Sequence, residues 1–552
     1  MAGTYEALAP LAVATPAERY ADRELQTALL FLTAAGVERL AHVDDQPVTS
    51  WGTVLGTERR PGADTLDRYL HALQAQDAAA TAPLTPAGAD QPPTAPVGQA
   101  AAVGQIQPAG PIAQARSQTL VARVAAGLCG DPVWYFDGHT LEYTGQAQIG
   151  KTRHGTKHLS VKAVEEYCLF NHVPGLTGYF PTSVTFAQAL RTLLSQANAA
   201  LPADQRIRHL AFDKEGWDAE LLRWLVAEQG VSPITWVKET APNRSLLAGV
   251  PSAAFVDLAA TMTVGKDDQE HQVCRLADVD LPLADLGTAR VVVLETAGGA
   301  RLGIFTTALR PEAAPLSDAR VLPTVAVLDA MRYKQRIENG FKVRSAEMGS
   351  DALPTHQVHT VVQCEPYDLA QAQAHAARAA KRLAKHQAAQ QQHQELLAQD
   401  QLDKHEFNVL AARSSRLAAA AQTELEQLAA AQAQVHTDPA TGQTVIERTT
   451  EVLDLHKLTL LNLFKDHALI ALHLLAHWLG LDGAGPQRLR REFLAHGDRV
   501  EFDHDQRTLT VFAKPFPRAR TQRAYEWLCA QLNTLPVTFL RDGITYRVRF
   551  SW

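Results

Sequence analysis

The sequence predicts a mixed α/β core set between helical segments, and three observations carry that expectation. Short apolar runs of strand type alternate with helix-period segments from about residue 130 to 240. A Pro, Ala, Gly and Gln mixture separates this part from a helical N-terminus, and an Ala/Gln-rich tract with helical character follows it.

Taken in order, residues 1–75 hold helical periodicity in ELQTALLFLTAAGVERL and DTLDRYLHALQA, with turn chemistry at RRPGAD between them, and read as a small helical domain. Residues 76–111 carry too little bulky apolar surface for a core and read as a linker. Within 112–363, VWYF at 133–136 is a short buried-type strand, and 140–173 can supply two more antiparallel strands. A helix is expected over 184–197, with Ala187, Leu190, Leu194 and Ala197 on one face, then a strand at 209–212, a helix at 219–229 and a strand at 234–237. Three strands, helix, strand, helix, strand is the order of an RNase H-like core. Residues from about 239 to 300 break that rhythm as a mostly β insertion, after which RLGIFTTAL leads to a helix over about 318–343. A long helical or coiled-coil arm is expected over 364–440 and an α+β region over 441–552.

A chain of 552 residues exceeds one hydrophobic core, so several domains or one core with large insertions are expected. No apolar run reaches the roughly 18 residues of a membrane span, and the N-terminus lacks the basic start and apolar centre of a secretory signal, which predicts a cytoplasmic protein. The five cysteines form no CxxC pair and suggest neither a disulfide framework nor structural zinc. A formal net charge of −7 runs against binding DNA, whose phosphates are held largely by Lys and Arg, although local patches can be basic while the average is acidic.

Two apolar strands end in an acid: VWYFDGH places Asp137, and HLAFDKEGW places Asp213, at the rim of the sheet. Carboxylates converging from neighbouring strands repel unless a cation lies between them, and hard oxygen ligands suit Mg²⁺ or Mn²⁺. A third acid, Glu338, stands in RYKQRIENGFKVRS with Lys334 and Lys342 one turn to either side, Arg332, Arg336 and Arg344 nearby, and Ile337 and Phe341 available to a core. One carboxylate within a cationic stretch suits a metal ligand whose neighbours hold phosphates.

These three segments, in this order and with a β insertion before the last, resemble the catalytic blocks of DDE insertion-sequence transposases, the group with a Y-x-x-R-x-x-x-E-type helix. The resemblance covers roughly residues 130–360 and implies an RNase H-like fold with Asp137, Asp213 and Glu338 as catalytic and metal-binding carboxylates. Tyr333 and Arg336 are similar to the family's tyrosine and arginine, with Arg336 only two positions before Glu338, and Lys342 and Arg344 are candidates for a later lysine. It further implies Mg²⁺ or Mn²⁺, two ions acting in strand cleavage and transfer, double-stranded DNA ends and target as partners, a homodimer or higher synaptic assembly, and a prokaryotic, nucleoid-associated setting.

Other residues keep two readings. The stretch KTRHGTKHLSVK, with Lys151, Arg153, Lys157 and Lys162, is a DNA-tracking strip or a solvated hairpin. Glu215 and Asp218 are rivals for the second acid, Asp218 fitting better as a helix cap, and Glu347 is a rival for the third. Trp134, Trp217 and Trp236 read as core, and Arg488, Arg490 and Arg491 as phosphate contacts or a charged helix face. Two other functions stay open: a transposase-derived DNA-binding protein that does not cut, and a stand-alone RNase H-like nuclease.

Overall fold

Along β1 (Val133–Glu142), Trp134 and Phe136 enter one apolar core while Val133 and Tyr135 enter a second, so this strand lies in a sheet buried on both faces. The computed structural model describes residues 8–11, 20, 22–34, 43, 61–81, 110–153, 159–264, 271–283, 286–333, 337, 341–342, 344–345, 358–399, 403–432, 435–437, 444–478, 497–513, 515, 519–534, 538–541 and 544–551. Two compact units divide the chain: Met1–Ala89, Gly104–Gln357 and Leu453–Trp552 form one, Asp90–Val103 and Val358–Val452 the other.

The first unit opens with α1 (Asp22–Ala34), α2 (Ala63–Thr81) and α3 (Pro111–Ala125). The sheet follows: β1, β2 (Lys151–Arg153), β3 (Ser160–Asn171), β4 (Val173–Pro181), helix α4 (Phe186–Ala200), β5 (His209–Phe212), helix α5 (Ala219–Ala227) and β6 (Ser232–Trp236). Strands lie in the order β4-β3-β1-β5-β6, with β1, β5 and β6 parallel and the β1–β3 and β3–β4 pairs antiparallel. The alternation of helix and strand from α4 to β6 is the expected one, but four strands precede α4 where three were expected, and the last of them, β4, begins where the expected strands end. A capping box between Thr185 and Gln188 starts α4, and Asp218 caps α5 by accepting from the Leu221 amide at 2.7 Å.

The β insertion continues the sheet. After the short helix α6 (Ala241–Ala248), strands β7 (Val256–Val264), β8 (His271–Leu283), β9 (Gly287–Thr296) and β10 (Arg301–Thr306) extend it in the order β6-β10-β9-β8-β7, with β10 antiparallel to β6. Leu190 and Leu194 of α4 and Leu221 and Leu225 of α5 cover one face, where Trp134 is core and Trp217 packs edge-on to Phe305. Helix α7 (Thr324–Tyr333), through Val327, Leu328 and Met331, covers the other together with Ile337 and Phe341.

Helices α1 and α2 share a core with the distant helix α10, counted after the two helices of the second unit and spanning His456–Trp478, through Leu25, Leu29, Leu70, Leu460, Leu463 and Phe464. Each such buried side chain is worth about 1.5–3 kcal/mol. The Lys457–Asp67 ion pair at the same junction, with its carboxylate part-exposed, contributes about 1 kcal/mol or less, so apolar burial dominates the closure. The segment expected as linker from residue 76 begins as the last turn of α2, where buried Asp77 accepts from the Ile112 amide at 3.0 Å and so caps α3 from outside. Strands β14 (Gly497–Asp503), β15 (Thr508–Ala513), β16 (Thr538–Arg541) and β17 (Ile544–Ser551) form a four-stranded sheet in the order β14-β15-β17-β16, with α11 (Ala519–Thr534) tied to β17 by Asn533.

In the second unit, β11 (Val358–Pro366), β13 (Thr444–Leu453) and β12 (Val435–Thr437) form a small sheet in that order. The Ala/Gln-rich tract is two helices, α8 (Leu369–Ala398) and α9 (Lys404–Gln432). Arg382 pairs with Glu424 at 2.7 Å and Gln390 with Ser415 at 2.7 Å, so position rises along one helix as it falls along the other, and the arm is an antiparallel hairpin. Among the described residues no helix is long and apolar enough to cross a membrane.

On α10, His467 Nε2 lies 2.9 Å from Thr119 Oγ1, whose hydroxyl donates to the Ala115 carbonyl, so the imidazole donates to it. Burial, with Arg123 nearby, pushes the His467 pKa down to about 3. The unfolded chain takes a proton near pH 6.5 that the folded chain refuses until about 3, so stability falls as pH drops through that window. Urea midpoints measured from pH 7 to pH 4 are expected to fall less steeply in His467→Asn than in the wild type.

Candidate functional site

In the parallel pair β1–β5, Phe136 lies opposite Phe212, so the next residues, Asp137 and Asp213, stand at the same level. Only β5 ends there: β1 runs on to Glu142 against β3, so Asp137 lies within its strand and not at the strand end that the sequence led us to expect. Neighbouring strands run about 4.8 Å apart, which puts two carboxylates within reach of one cation. Alternation also gives them a common face. Asp137 continues the series Val133, Tyr135, and Asp213, whose backbone is still extended, continues from Ala211; all three apolar residues belong to the core under α7. Both acids are half-buried.

Their backbones are fixed from several sides. Asp213 Oδ1 accepts from the Lys214 amide at 2.7 Å, capping a single 3-10 turn, Lys214–Gly216, and its carbonyl accepts from Thr235 Oγ1 on β6 at 3.1 Å. After Asp137, Gly138 faces Tyr167 on β3, and a Cβ there would stand 2.7 Å from the Tyr167 ring. Glycine therefore lets the aromatic layer of Phe136, Tyr167, Phe186 and Phe212 close under the acids. Burial raises the Tyr167 pKa, and the charges of Glu215, Glu165 and Asp137 raise it further, which marks this end of the sheet as electronegative.

His139, two residues beyond Asp137, stacks on Phe341 with ring centroids 5.3 Å apart and planes 20° from parallel. Phe341 and Ile337 are buried on the face that receives the two acids, so described residues on either side of position 338 dock beside them. Glu338 itself lies outside the described residues, as do Lys334, Arg336, Lys157 and Glu347. Among the described residues no group of three or more His, Cys, Asp or Glu side chains is placed to hold a metal. The donor set that is present, two hard carboxylates level with each other on adjacent strands with an electronegative surround, fits a divalent cation of the Mg²⁺ or Mn²⁺ type.

Of the expected phosphate contacts, Lys151 on β2 and Lys342 are exposed, and Tyr333 is exposed at the end of α7. Arg153 ends β2. Lys162 is turned to the carbonyls of Gln146 and Ala147, at 3.2 and 2.7 Å, which favours the hairpin reading for that residue. Asp218 is the helix cap, and Glu215 is exposed in the turn after Asp213.

Arg344 is corrected: it is 2% exposed and cannot reach a phosphate. Its Nη1 lies 2.7 Å from Glu166 Oε1 and its Nε 2.8 Å from Asp466 Oδ1, with those side chains 1% and 7% exposed. Tyr179 donates to Glu166 at 2.7 Å and accepts from Asn462 at 2.7 Å. Burial alone would lower the guanidinium pKa, but Asp466 and Glu166 hold it well above its ordinary value. Two buried carboxylates need a counter-cation, and Arg344 is it. His139 and the Tyr167 group were given no role by sequence reasoning; the alternation of side chains after Asp137 was the available signal for His139.

No protein-family profile and no curated protein matches this chain. Among solved structures it is similar to a piggyBac transposase synaptic complex with hairpin DNA, determined by cryo-electron microscopy, at 9% identity and a TM-score of 0.31. The match covers 62% of this chain and 65% of that one, a little under two thirds of its length. A likeness at that level carries no argument for function.

Arg344→Ala leaves Glu166 and Asp466 buried without their cation and is expected to cost about 3–5 kcal/mol in urea unfolding, against about 0.5 kcal/mol or less for Lys342→Ala. Equal, small effects would contradict the burial described here.

Proposed function

We propose that this chain is a DDE-type insertion-sequence transposase that cleaves DNA at the ends of its element and joins 3′ ends to target DNA. The observation that supports it most is the register that sets Asp137 and Asp213 side by side on one face of the sheet, beside the buried Ile337 and Phe341 that bracket Glu338 in sequence. Asp137, Asp213 and Glu338 hold the divalent cation, a pair of ions in this reading. Bound there, Mg²⁺ or Mn²⁺ supplies Lewis-acid stabilisation of the attacking and leaving oxygens of an in-line displacement.

The protein's own part is placement. The sheet holds the two aspartates level on adjacent strands, and the His139–Phe341 stack ties the strand of Asp137 to Phe341, three residues after Glu338 in sequence. Lys151, Arg153, Lys157, Tyr333, Lys334, Arg336 and Lys342 contact the DNA backbone in this reading, the cations offsetting phosphate charge locally although the chain is acidic overall. Holding two DNA ends together calls for a homodimer or a larger assembly. The N-terminal helices are candidates for contacting the ends, and the reaction belongs in the cytoplasm, on the nucleoid.

Cleavage of DNA carrying the element's own ends, assayed with Mg²⁺ or Mn²⁺, tests this directly. Asp137→Ala, Asp213→Ala and Glu338→Ala are each expected to lose on the order of a thousandfold in cleavage while retaining end binding, given several kcal/mol of transition-state stabilisation from the bound ions. A wild type that binds ends and never cuts would support a DNA-binding protein instead; cleavage without strand transfer would support a nuclease.

A further inference from the structure

The junction of α3, β4 and α10 encloses excess positive charge beside a small cavity. Arg116 and Arg123 on α3 are both buried there. Arg116 donates to the Thr177 carbonyl, and Arg123 Nη1 to the carbonyls of Pro174 and Gly175. These acceptors are neutral. Among the described residues, Arg123 Nε and Nη2 find no hydrogen-bond acceptor.

The nearby carboxylates are already shared. Glu166 and Asp466 both bind Arg344, so among the described residues the buried guanidiniums Arg116, Arg123 and Arg344 stand against these two acids. His467 is neutral and takes no part in the balance. Burial pushes the Arg116 pKa down to about 10 and lowers that of Arg123, the response of cations short of a counter-charge.

Both arginines line a cavity of about 20 Å³, together with Thr119, Tyr179, Asn462 and Asp466. That is room for one water-sized sphere and too little for a tetrahedral oxyanion. A neutral water would answer the free N–H groups but leave the charge excess. We propose that this cavity binds a single monatomic anion of chloride size, held chiefly by Arg123 and Arg116, and that it locks α10 onto α3 and β4. Asp466 lines the same cavity, but its Oδ1 is held by Arg344 Nε at 2.8 Å, so its charge is offset there and the ion is left to Arg123 and Arg116.

Crystals of the full chain soaked in sodium bromide test the site by anomalous scattering, with thermal unfolding in chloride against gluconate at equal ionic strength as the solution readout. A bromide peak within contact of Arg123 and Arg116 is expected, with a saturable upward shift in Tm in chloride or bromide and none in sulfate or gluconate. Arg123→Gln is expected to abolish the halide-specific shift. If that variant fails to fold, the wild-type bromide map and halide titration still decide. Absence of the peak, or identical Tm in chloride and gluconate, overturns the proposal and leaves a water in the cavity.

Discussion

The pairing of β1 with β5 is the constraint on which the candidate site depends. Parallel neighbours keep equal register along their length, so once Val133 meets His209 and Phe136 meets Phe212, the acids that follow have no freedom to separate along the strand direction. Apolar burial on both sheet faces fixes that register, because a slip of one residue would drive Trp134 and Phe136 out of one core and Val133 and Tyr135 out of the other. The carboxylates are thereby held level, where β5 ends and β1 runs on, against their own repulsion and by packing they do not contribute to.

A second constraint acts away from that rim. Glu166 on β3 and Asp466 on α10 are both buried, and Arg344, from the chain that follows α7, reaches both. One cation, Arg344, therefore links β3 of the sheet to α10. The His139–Phe341 stack makes a further tie from the same segment to β1, two residues past Asp137. The two contacts hold Arg344 through buried charge and Phe341 through an aromatic pair.

Much of this was legible in the sequence. The apolar tetrads before Asp137 and Asp213 were legible as strands, although β1 runs on past Asp137 to Glu142, and the Asp218 cap followed from an acid just before an apolar helical run. Arg344 was read wrongly because a lone arginine in a cationic stretch looks like a phosphate contact, while its true partners lie 178 and 122 positions away. The pairing of β10 with β6 was likewise hidden, since local pattern gives a strand its type and not its neighbour. The hairpin of α8 and α9 turns without glycine or proline between them, and only Asp403, accepting from the His405 and Glu406 amides, marks the restart. The shared core of α1, α2 and α10 joins segments nearly 400 residues apart, as the Lys457–Asp67 pair shows, beyond the reach of periodicity.

In the function proposed above, Asp137 and Asp213 share a divalent cation. Diffraction from crystals grown with Mn²⁺, recorded at the manganese edge, tests it most directly. The expected result is an anomalous peak about 2.1–2.3 Å from a carboxylate oxygen of each aspartate, on the face that carries Phe341. Peaks elsewhere, or none at the rim with Mn²⁺ in excess, would contradict it.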